Sequence, residues 1–163
     1  MFHVRDFQKN DFESVKQIYR EGIDTGNATF ETQVKEWDAW NTALHDACRL
    51  VAEENCRVIG WAALSPVSTR QVYAGVAEVS IYVSSFAQGR GIVHALLSTL
   101  VAESEKTGFW TLQAGIFPEN KISIALHKKN GFRILGVREK LGKMNQIWRD
   151  VVLMERRSQK IGI

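Results

Sequence analysis

The chain has 163 residues, enough for one domain with a sizeable core, and its 45% hydrophobic and 24% charged residues are typical of a globular protein. Its net charge of +3 is too small and too dispersed to indicate nucleic-acid binding, and no apolar run approaches the roughly 20 residues of a membrane span. Residues Met1–Asp6 lack the basic-then-apolar pattern of a signal peptide, so we predict a cytoplasmic protein without a nucleic-acid or membrane partner.

Apolar periodicity in the first half of the chain predicts a strand, two helices and a hairpin, in that order. Asn10, with Glu13 three residues later, marks the start of the first helix. The polar turn Glu53–Asn55 joins the two hairpin strands. The predicted elements cover Phe2–Arg5, Asp11–Glu21, Val34–Ala47, Leu50–Ala52 and Val58–Ala63.

The second half predicts strands and helices in alternation, followed by two final strands. These elements cover Val79–Val83, Gly91–Lys106, Thr111–Phe117, Asn120–Asn130, Phe132–Val137 and Ile147–Met154. The complete order β-α-α-β-β-β-α-β-α-β-β indicates an α/β (α+β) fold with helices on both faces of a sheet. No linker divides the chain, so we expect a single domain over residues 1–163.

A short basic glycine turn lies between the strand Val79–Val83 and the helix that follows it. The free N–H groups and the positive dipole end of a helix start favour an anion, and glycines let the backbone approach it closely. The alternative is a tight turn with a solvated charge. The pattern is neither a Walker loop nor a dinucleotide fingerprint. The turn consists of Gln88, Gly89, Arg90, Gly91, Ile92 and Val93.

A second motif follows about thirty residues later, and it consists of Asn120, Ser123, Leu126, His127, Gly131 and Phe132. With this block the chain resembles the GCN5-related N-acetyltransferase (GNAT) superfamily. Its cofactor motif Gln/Arg-x-x-Gly-x-Gly/Ala is matched by Gln88 and Gly91, and imperfectly by Val93. The resemblance extends to the phosphinothricin and methionine sulfoximine branch through Ala28–Glu31, Glu78–Val83, Trp148–Asp150 and Met154–Arg156.

The resemblance implies a GNAT fold, a splayed and mostly antiparallel mixed sheet with acetyl-CoA as co-substrate in the split. The strand residues Ser80, Ile81, Tyr82 and Val83 would offer backbone groups to the amide-rich pantetheine arm. The glycine turn would hold the pyrophosphate, with Arg90 either adding charge or pointing to solvent.

The short helix of the second motif implies further contacts to the cofactor. Asn120 would hydrogen-bond the pantetheine arm, cap its helix, or do both. Ser123 would reach the cofactor or lie on the surface.

Acetyl transfer requires that the amine lose a proton and that the thiolate leave. Glu78 is the candidate base, directly or through a water, with a salt bridge or solvation at the strand end as its structural alternative. His127 takes the place of the tyrosine that protonates the thiolate in many members of the superfamily, although a helix histidine is often simply packed. A backbone N–H of Ile81–Val83 would stabilise the carbonyl oxygen.

The loop before the cofactor strand carries Arg70 and Tyr73, and the resemblance implies that it contacts an amino-acid substrate. Arg70 would pair with a carboxylate or phosphinate, or would be an exposed loop arginine. Phe30 and Glu31 would line the other wall. The Trp148–Asp150 motif would shape an active site built by a homodimer or would stabilise the last strand.

The leading hypothesis is an acyltransferase that acetylates the α-amine of a small amino acid or analogue such as phosphinothricin or methionine sulfoximine. The alternatives are a different amine (a polyamine or a protein N-terminus) and an acyl-CoA-binding module with little catalysis. Val93 departs from the small residue of the motif, but acetyl-CoA is expected to bind because the donors are main-chain groups. The isolated cysteines Cys48 and Cys56 are expected as reduced thiols and predict no metal site.

Overall fold

The computed structural model describes residues 1–163 and contains seven strands and four α-helices in the predicted order. The strands are β1 (His3–Asp6), β2 (Leu50–Glu54), β3 (Arg57–Pro66), β4 (Val76–Val83), β5 (Thr111–Ile116), β6 (Arg133–Met144) and β7 (Ile147–Arg157). The helices are α1 (Phe12–Asp24), α2 (Trp37–Ala43), α3 (Ile92–Lys106) and α4 (Lys121–Lys129). The longest, α3, has 15 residues, and none has the length and apolar character that a bilayer crossing requires.

The start of α1 differs from its prediction. Asn10 lies inside a short 3-10 turn rather than at the N-cap, and the helix begins at Phe12. The buried Asp11 carboxylate accepts a hydrogen bond of 2.7 Å from the backbone N–H of Gln8 and pairs with Arg5 at 2.8 Å. The bonds of Asp11 to Arg5 and Gln8 therefore fix the turn from which this helix begins.

Helix α2 is half as long as predicted, because a side chain from outside the helix binds its last carbonyl groups. The Arg49 guanidinium donates to the carbonyl oxygens of His45 (2.7 Å), Asn41 (3.0 Å) and Leu44 (3.2 Å). Leu44 is extended, and the His45 N–H donates to Leu64 of β3 at 2.8 Å. The predicted extension to Ala47 was wrong because this loop bonds to the sheet.

The seven strands form one sheet in the order β1-β2-β3-β4-β5-β7-β6. All neighbours are antiparallel except β4 and β5, which are parallel and pair only from Val76–Glu78 to Thr111–Gln113. Beyond Glu78 the two strands diverge, β4 remaining paired with β3 and β5 with β7. The expectation of a splayed, mostly antiparallel mixed sheet is confirmed.

The sheet separates two apolar layers, which confirms that helices cover both faces. Leu96 and Leu100 of α3 are fully buried against one face. On the other face, Val15 of α1 and Trp40 of α2 pack around Trp61 of β3. Because side chains alternate along a strand, Val79 and Ile81 of β4 belong to the α3 layer. Its polar side chains at positions 78 and 80 consequently face the side of α1 and α2.

The last hairpin is longer than predicted. Strand β6 runs to Met144 and β7 to Arg157, joined by Asn145 and Gln146, both with positive φ. Most of β6 is exposed, including Val137, so its side chains show no alternation from which its length could be predicted. β6 is also the edge strand of the sheet.

Candidate active site

A cavity of about 380 Å³ lies in the split between β4 and β5. Its strand walls are the β4 segment from Glu78 to Tyr82 and the segment from Ala114 to Phe117, which runs past the end of β5. The loop Asn27–Glu31 and one side of α4 complete it. The cavity forms because β5 turns away from β4 at the one parallel pair of the sheet.

The structure brings nine of the eighteen predicted site residues to this cavity, whereas Val83 and the turn Gln88–Val93 lie outside its wall. Those in its walls are Phe30, Glu31, Glu78, Ser80, Ile81, Tyr82, Asn120, Ser123 and His127. Arg70 and Tyr73 are not in the wall; both are exposed, with the guanidinium 5.4 Å from the centre of the tyrosine ring. Arg70 forms no ion pair, so its charge is free for an anion from solution.

Glu78 is the last residue at which β4 pairs with β5, so its carboxylate stands where the split opens. Oε2 accepts a hydrogen bond of 3.2 Å from Nε2 of Gln113, its register partner on β5. No cation lies within ion-pair distance, so the salt bridge weighed as the structural alternative is not formed. A Cβ on Gly115 would lie 3.2 Å from Cγ1 of Val151, which is tight, and in ordinary contact with Oε1 of Glu78 at 3.8 Å.

His127 is only 2% exposed, and its ring forms part of the cavity wall. Nδ1 lies 2.8 Å from the carbonyl oxygen of Ser123, an acceptor, so Nδ1 carries a hydrogen and donates it. Nε2 is buried and has no partner. Burial lowers the pKa of His127 below its ordinary value, which makes the neutral ring with a free Nε2 lone pair the main form near neutral pH. Nε2 is therefore placed to accept a hydrogen bond.

The buried histidines make the stability of the fold dependent on pH. Burial also lowers the pKa of His45, as it does for His127. At pH values below about 6.5, the ordinary pKa of histidine, the unfolded chain binds protons that the folded chain does not bind. The free energy of unfolding is therefore highest above pH 6.5. It should fall between pH 7.5 and 5.5, by up to about 1.4 kcal/mol per pH unit for each proton.

Urea unfolding at several pH values measures this dependence. The variant His127→Gln removes one titrating ring, and its stability should vary less over the same pH interval. Equal pH slopes for the two proteins would show that His127 takes up its proton equally well in the folded chain.

The glycine turn follows β4 and ends at the start of α3. Gly89 and Gly91 have φ of 74° and 80°, in the left-handed region that glycine adopts without a Cβ penalty. A Cβ at either position would meet no atom within 4 Å, so backbone conformation and not crowding requires glycine. Ile92 is buried in the α3 layer and Val93 is half-buried. The two glycines thus set the backbone from which α3 starts, and this turn lies outside the cavity wall.

Arg90 is exposed to solvent, one of its two expected placements, but its charge already has a partner. Its Nη2 lies 2.6 Å from the Glu54 carboxylate at the end of β2, so the guanidinium is already paired. Glu54 also lies 3.3 Å from the N-terminal ammonium. The ion pair fastens the turn to the β2–β3 hairpin, so the Arg90 guanidinium is not free for an anion.

Asn120 caps α4, as predicted. Its Oδ1 accepts a hydrogen bond of 3.2 Å from the N–H of Ser123, and its Nδ2 donates to the carbonyl of Asn27 at 3.4 Å. The second bond ties α4 to the loop Asn27–Glu31. The Ser123 hydroxyl lies 3.4 Å from Nδ1 of His127, which directs it toward the histidine.

Arg149 of β7 supports the cavity wall, a role that was not predicted from the sequence. Its guanidinium donates to the carbonyl of Gly26 (2.7 Å) and to Oδ1 of Asn27 (2.9 Å), and it pairs with Glu119 at 3.2 Å. It also lies 3.9 Å from the centre of the Phe117 ring. Arg149 thereby holds the loop over the cavity. Arg149 is the middle residue of the Trp-x-Asp motif, which allows any residue type there, so the motif gave it no role.

Tyr19, Lys35, Leu141 and Val151 also line the cavity and were not predicted. Burial raises the pKa of Tyr19, so its hydroxyl is neutral at any physiological pH. Each comes from a different element and none belongs to a motif, so no local signal could have assigned them to the site.

Comparison with known proteins places this geometry among acetyltransferases. The profile described as "Acetyltransferase (GNAT) family" matches residues 12–132. Phosphinothricin N-acetyltransferase of Alcaligenes faecalis is 30% identical, over 94% of this chain and 81% of its own. The methionine sulfoximine/methionine sulfone acetyltransferase of Salmonella typhimurium is 29% identical, over 93% and 92%. A phosphinothricin acetyltransferase of Sinorhizobium meliloti, solved with acetyl-CoA, superposes with a TM-score of 0.86 at 33% identity, covering 96% and 88%.

Proposed function

The chain belongs to the acetyltransferase (GNAT) family, and from this premise we propose that it acetylates the α-amine of a small amino acid or analogue of the phosphinothricin and methionine sulfone type. The observation that carries the proposal is the Glu78 carboxylate at the opening of the β4–β5 split, free of any cation. The named activities of the relatives support the substrate class.

The residues present fit acetyl-CoA, which supplies the acetyl thioester. On the side of β5, the backbone groups of residues 79–83 have no strand partner, so they are available to the amides of a pantetheine arm. The residues at positions 88–93 present the positive-φ glycines and the start of α3 to a pyrophosphate. Asn120 and Ser123 lie on the α4 side of the same cavity.

We assign Glu78 the role of base. Its carboxylate accepts the proton of the substrate ammonium, directly or through a water, while Gln113 holds the carboxylate in place. A backbone N–H of residues 81–83 would stabilise the carbonyl oxygen of the acetyl group. Phe30 and Glu31 form the opposite wall, and the exposed Arg70, beside Tyr73, would attract the substrate carboxylate.

Proton donation to the thiolate by His127 stays a prediction. It requires a proton on Nε2, and the lowered pKa makes that form scarce near neutral pH. If His127 is the donor, kcat should fall as pH rises through the pKa of the ring, and His127→Gln should abolish this fall. A kcat that rises steadily with pH in both proteins assigns the proton to another source.

The decisive experiment is release of free CoA against a panel of acceptors. Phosphinothricin, methionine sulfoximine and methionine sulfone should release CoA, whereas a polyamine and a peptide N-terminus should not. Release only with one of the latter two would contradict the proposed acceptor. Acetyl-CoA binding by calorimetry without release for any amine would instead favour a binding module.

We propose that the protein is a homodimer formed through β6 and β7. The exposed apolar side chains are concentrated on this edge hairpin, and an edge strand offers unpaired backbone groups. They are Ile134, Leu135, Val137, Leu141, Ile147 and Trp148. Leu141 also lines the cavity, so a partner on this hairpin would lie beside the active site.

Light scattering should give the mass of a dimer, and Val137→Lys should give a monomer. Ile122→Lys is a matched control because Ile122, like Val137, is an exposed β-branched apolar residue, 77% accessible, but lies on α4. A monomeric parent protein, or equal dissociation by both variants, would contradict an interface on this hairpin.

A cytoplasmic location is a further proposal and rests on the two free cysteines.

A further inference from the structure

A second, smaller cavity adjoins the first on the side of the sheet that carries α1 and α2. It has a volume of about 50 Å³, room for a small chemical group rather than a whole ligand. Tyr19, Lys35 and Ser80 line both cavities, so the small one is a side chamber of the large one. The remaining walls are Trp40, Ala43, Leu44 and Trp61.

Two of the residues that line the side chamber, Trp40 and Trp61, each have a hydrogen-bond donor without a partner. Trp40 and Trp61 are only 5% and 3% exposed, and the Nε1 atom of each is buried and unpaired. A buried indole N–H group normally has an acceptor in the protein, because burial removes the water that would otherwise accept its hydrogen bond. Nothing in the chain replaces it here. The side chamber therefore suits a ligand group that brings acceptor oxygens.

Lys35 adds an uncompensated positive charge to the same place. It is half-buried and forms neither an ion pair nor a hydrogen bond, although its neighbour Glu36 is paired with Lys16 at 2.7 Å. Lys35 lines both cavities. An ammonium at the entrance favours an anionic group in the side chamber over a neutral one.

We propose that the side chamber is the specificity subsite for the distal group of the acceptor amino acid. It takes a small group with two acceptor oxygens, of the sulfonyl or phosphinyl type. The indole N–H groups of Trp40 and Trp61 donate to these oxygens, and Lys35 pairs with the group where it is anionic. This inference rests on the proposed function, since it places the far end of that substrate.

The geometry of the substrate supports this placement. Ser80 is two residues from Glu78 on the same face of β4, so the chamber begins about 7 Å from the base, the length of two strand residues. A four-carbon amino acid with its amine at Glu78 spans such a distance. The apolar walls Ala43 and Leu44 accept a methyl group beside the oxygens.

Steady-state kinetics of single variants test the subsite. Trp61→Phe and Trp40→Phe should each raise KM for methionine sulfone about tenfold through loss of a hydrogen bond, with kcat and the Kd for acetyl-CoA little changed. Trp37→Phe is the matched control. Trp37 lies 6.0 Å from Trp40 in the same aromatic cluster, but it lines neither cavity.

Lys35→Met separates the two kinds of acceptor and tests the subsite even where a tryptophan variant does not fold. It should raise KM for anionic phosphinothricin about tenfold and KM for neutral methionine sulfone by less than twofold. Lys9→Met, at a lysine that lies over Trp37 outside both cavities, should change neither.

The outcomes distinguish the subsite from the enzyme activity. A parent enzyme that acetylates methionine sulfone with KM unchanged in the variants at Lys35, Trp40 and Trp61 overturns the subsite alone, and the chamber then holds only water. A parent enzyme that acetylates none of these acceptors overturns the proposed function and the subsite together.

Discussion

Replacing Glu78 with glutamine should lower kcat by about 10²–10⁴-fold near pH 7 while the Kd for acetyl-CoA stays unchanged. The amide keeps the size of the carboxylate and the contact to Gln113, but it cannot accept the proton of the amine. The loss should shrink as pH rises toward the pKa of the amine, because the substrate then arrives already deprotonated. Initial rates of CoA release from pH 6 to 10 measure both effects.

Glu155→Gln is the matched control for this experiment. Glu155 is the register partner of Gln113 on β7 and pairs with Arg133 at 3.1 Å, outside the cavity. It should retain the parent rate. Glu78→Gln with full activity across the whole pH range would remove Glu78 from the mechanism and leave proton removal to solvent.

The substitution Gly91→Ala should raise the Kd for acetyl-CoA by at least about tenfold, the effect of losing one hydrogen bond to a charged group. Gly91 precedes α3 with φ of 80°, a conformation that costs a residue with a Cβ about 1–2 kcal/mol. Relaxation toward negative φ would rotate the N–H groups that face the pyrophosphate. Isothermal titration with acetyl-CoA measures the change.

Gly108→Ala separates backbone strain from ligand binding. Gly108 follows the other end of α3 with φ of 96°, and its Cβ would also meet no atom within 4 Å. Both variants should lose a similar amount of stability in thermal unfolding. Only Gly91→Ala should weaken acetyl-CoA binding; equal affinities for the two variants would show that the turn does not hold the cofactor.

Features that depend on neighbouring residues could be predicted from the sequence. The order of the strands and helices follows from apolar periodicity, and the glycine turn between β4 and α3 follows from the left-handed conformation of Gly89 and Gly91. The Asn120 cap is equally local, since its partner Ser123 is three residues away. The motifs around these residues also led to the acetyltransferase family.

Features that depend on distant residues were missed or misplaced. The loop after helix α2 bonds to Leu64 of β3, 19 residues from His45, and Arg90 faces Glu54, 36 residues away, instead of an anion. Arg149 holds a loop more than 120 residues before it. No periodicity encodes such pairs, because burial and Coulomb attraction depend on separations in space.

The sequence by itself determined the strand and helix order, the backbone of the glycine turn and the presence of Glu78 and His127 in recognisable motifs. Only the tertiary structure decided that the sheet splits at Glu78 and that His127 is mainly neutral. It also decided that Lys35, Trp40 and Trp61 line one chamber. The reason is physical. Local conformation is set by each residue and its chain neighbours, whereas a cavity, a pKa and a charge without a partner are properties of the packed whole.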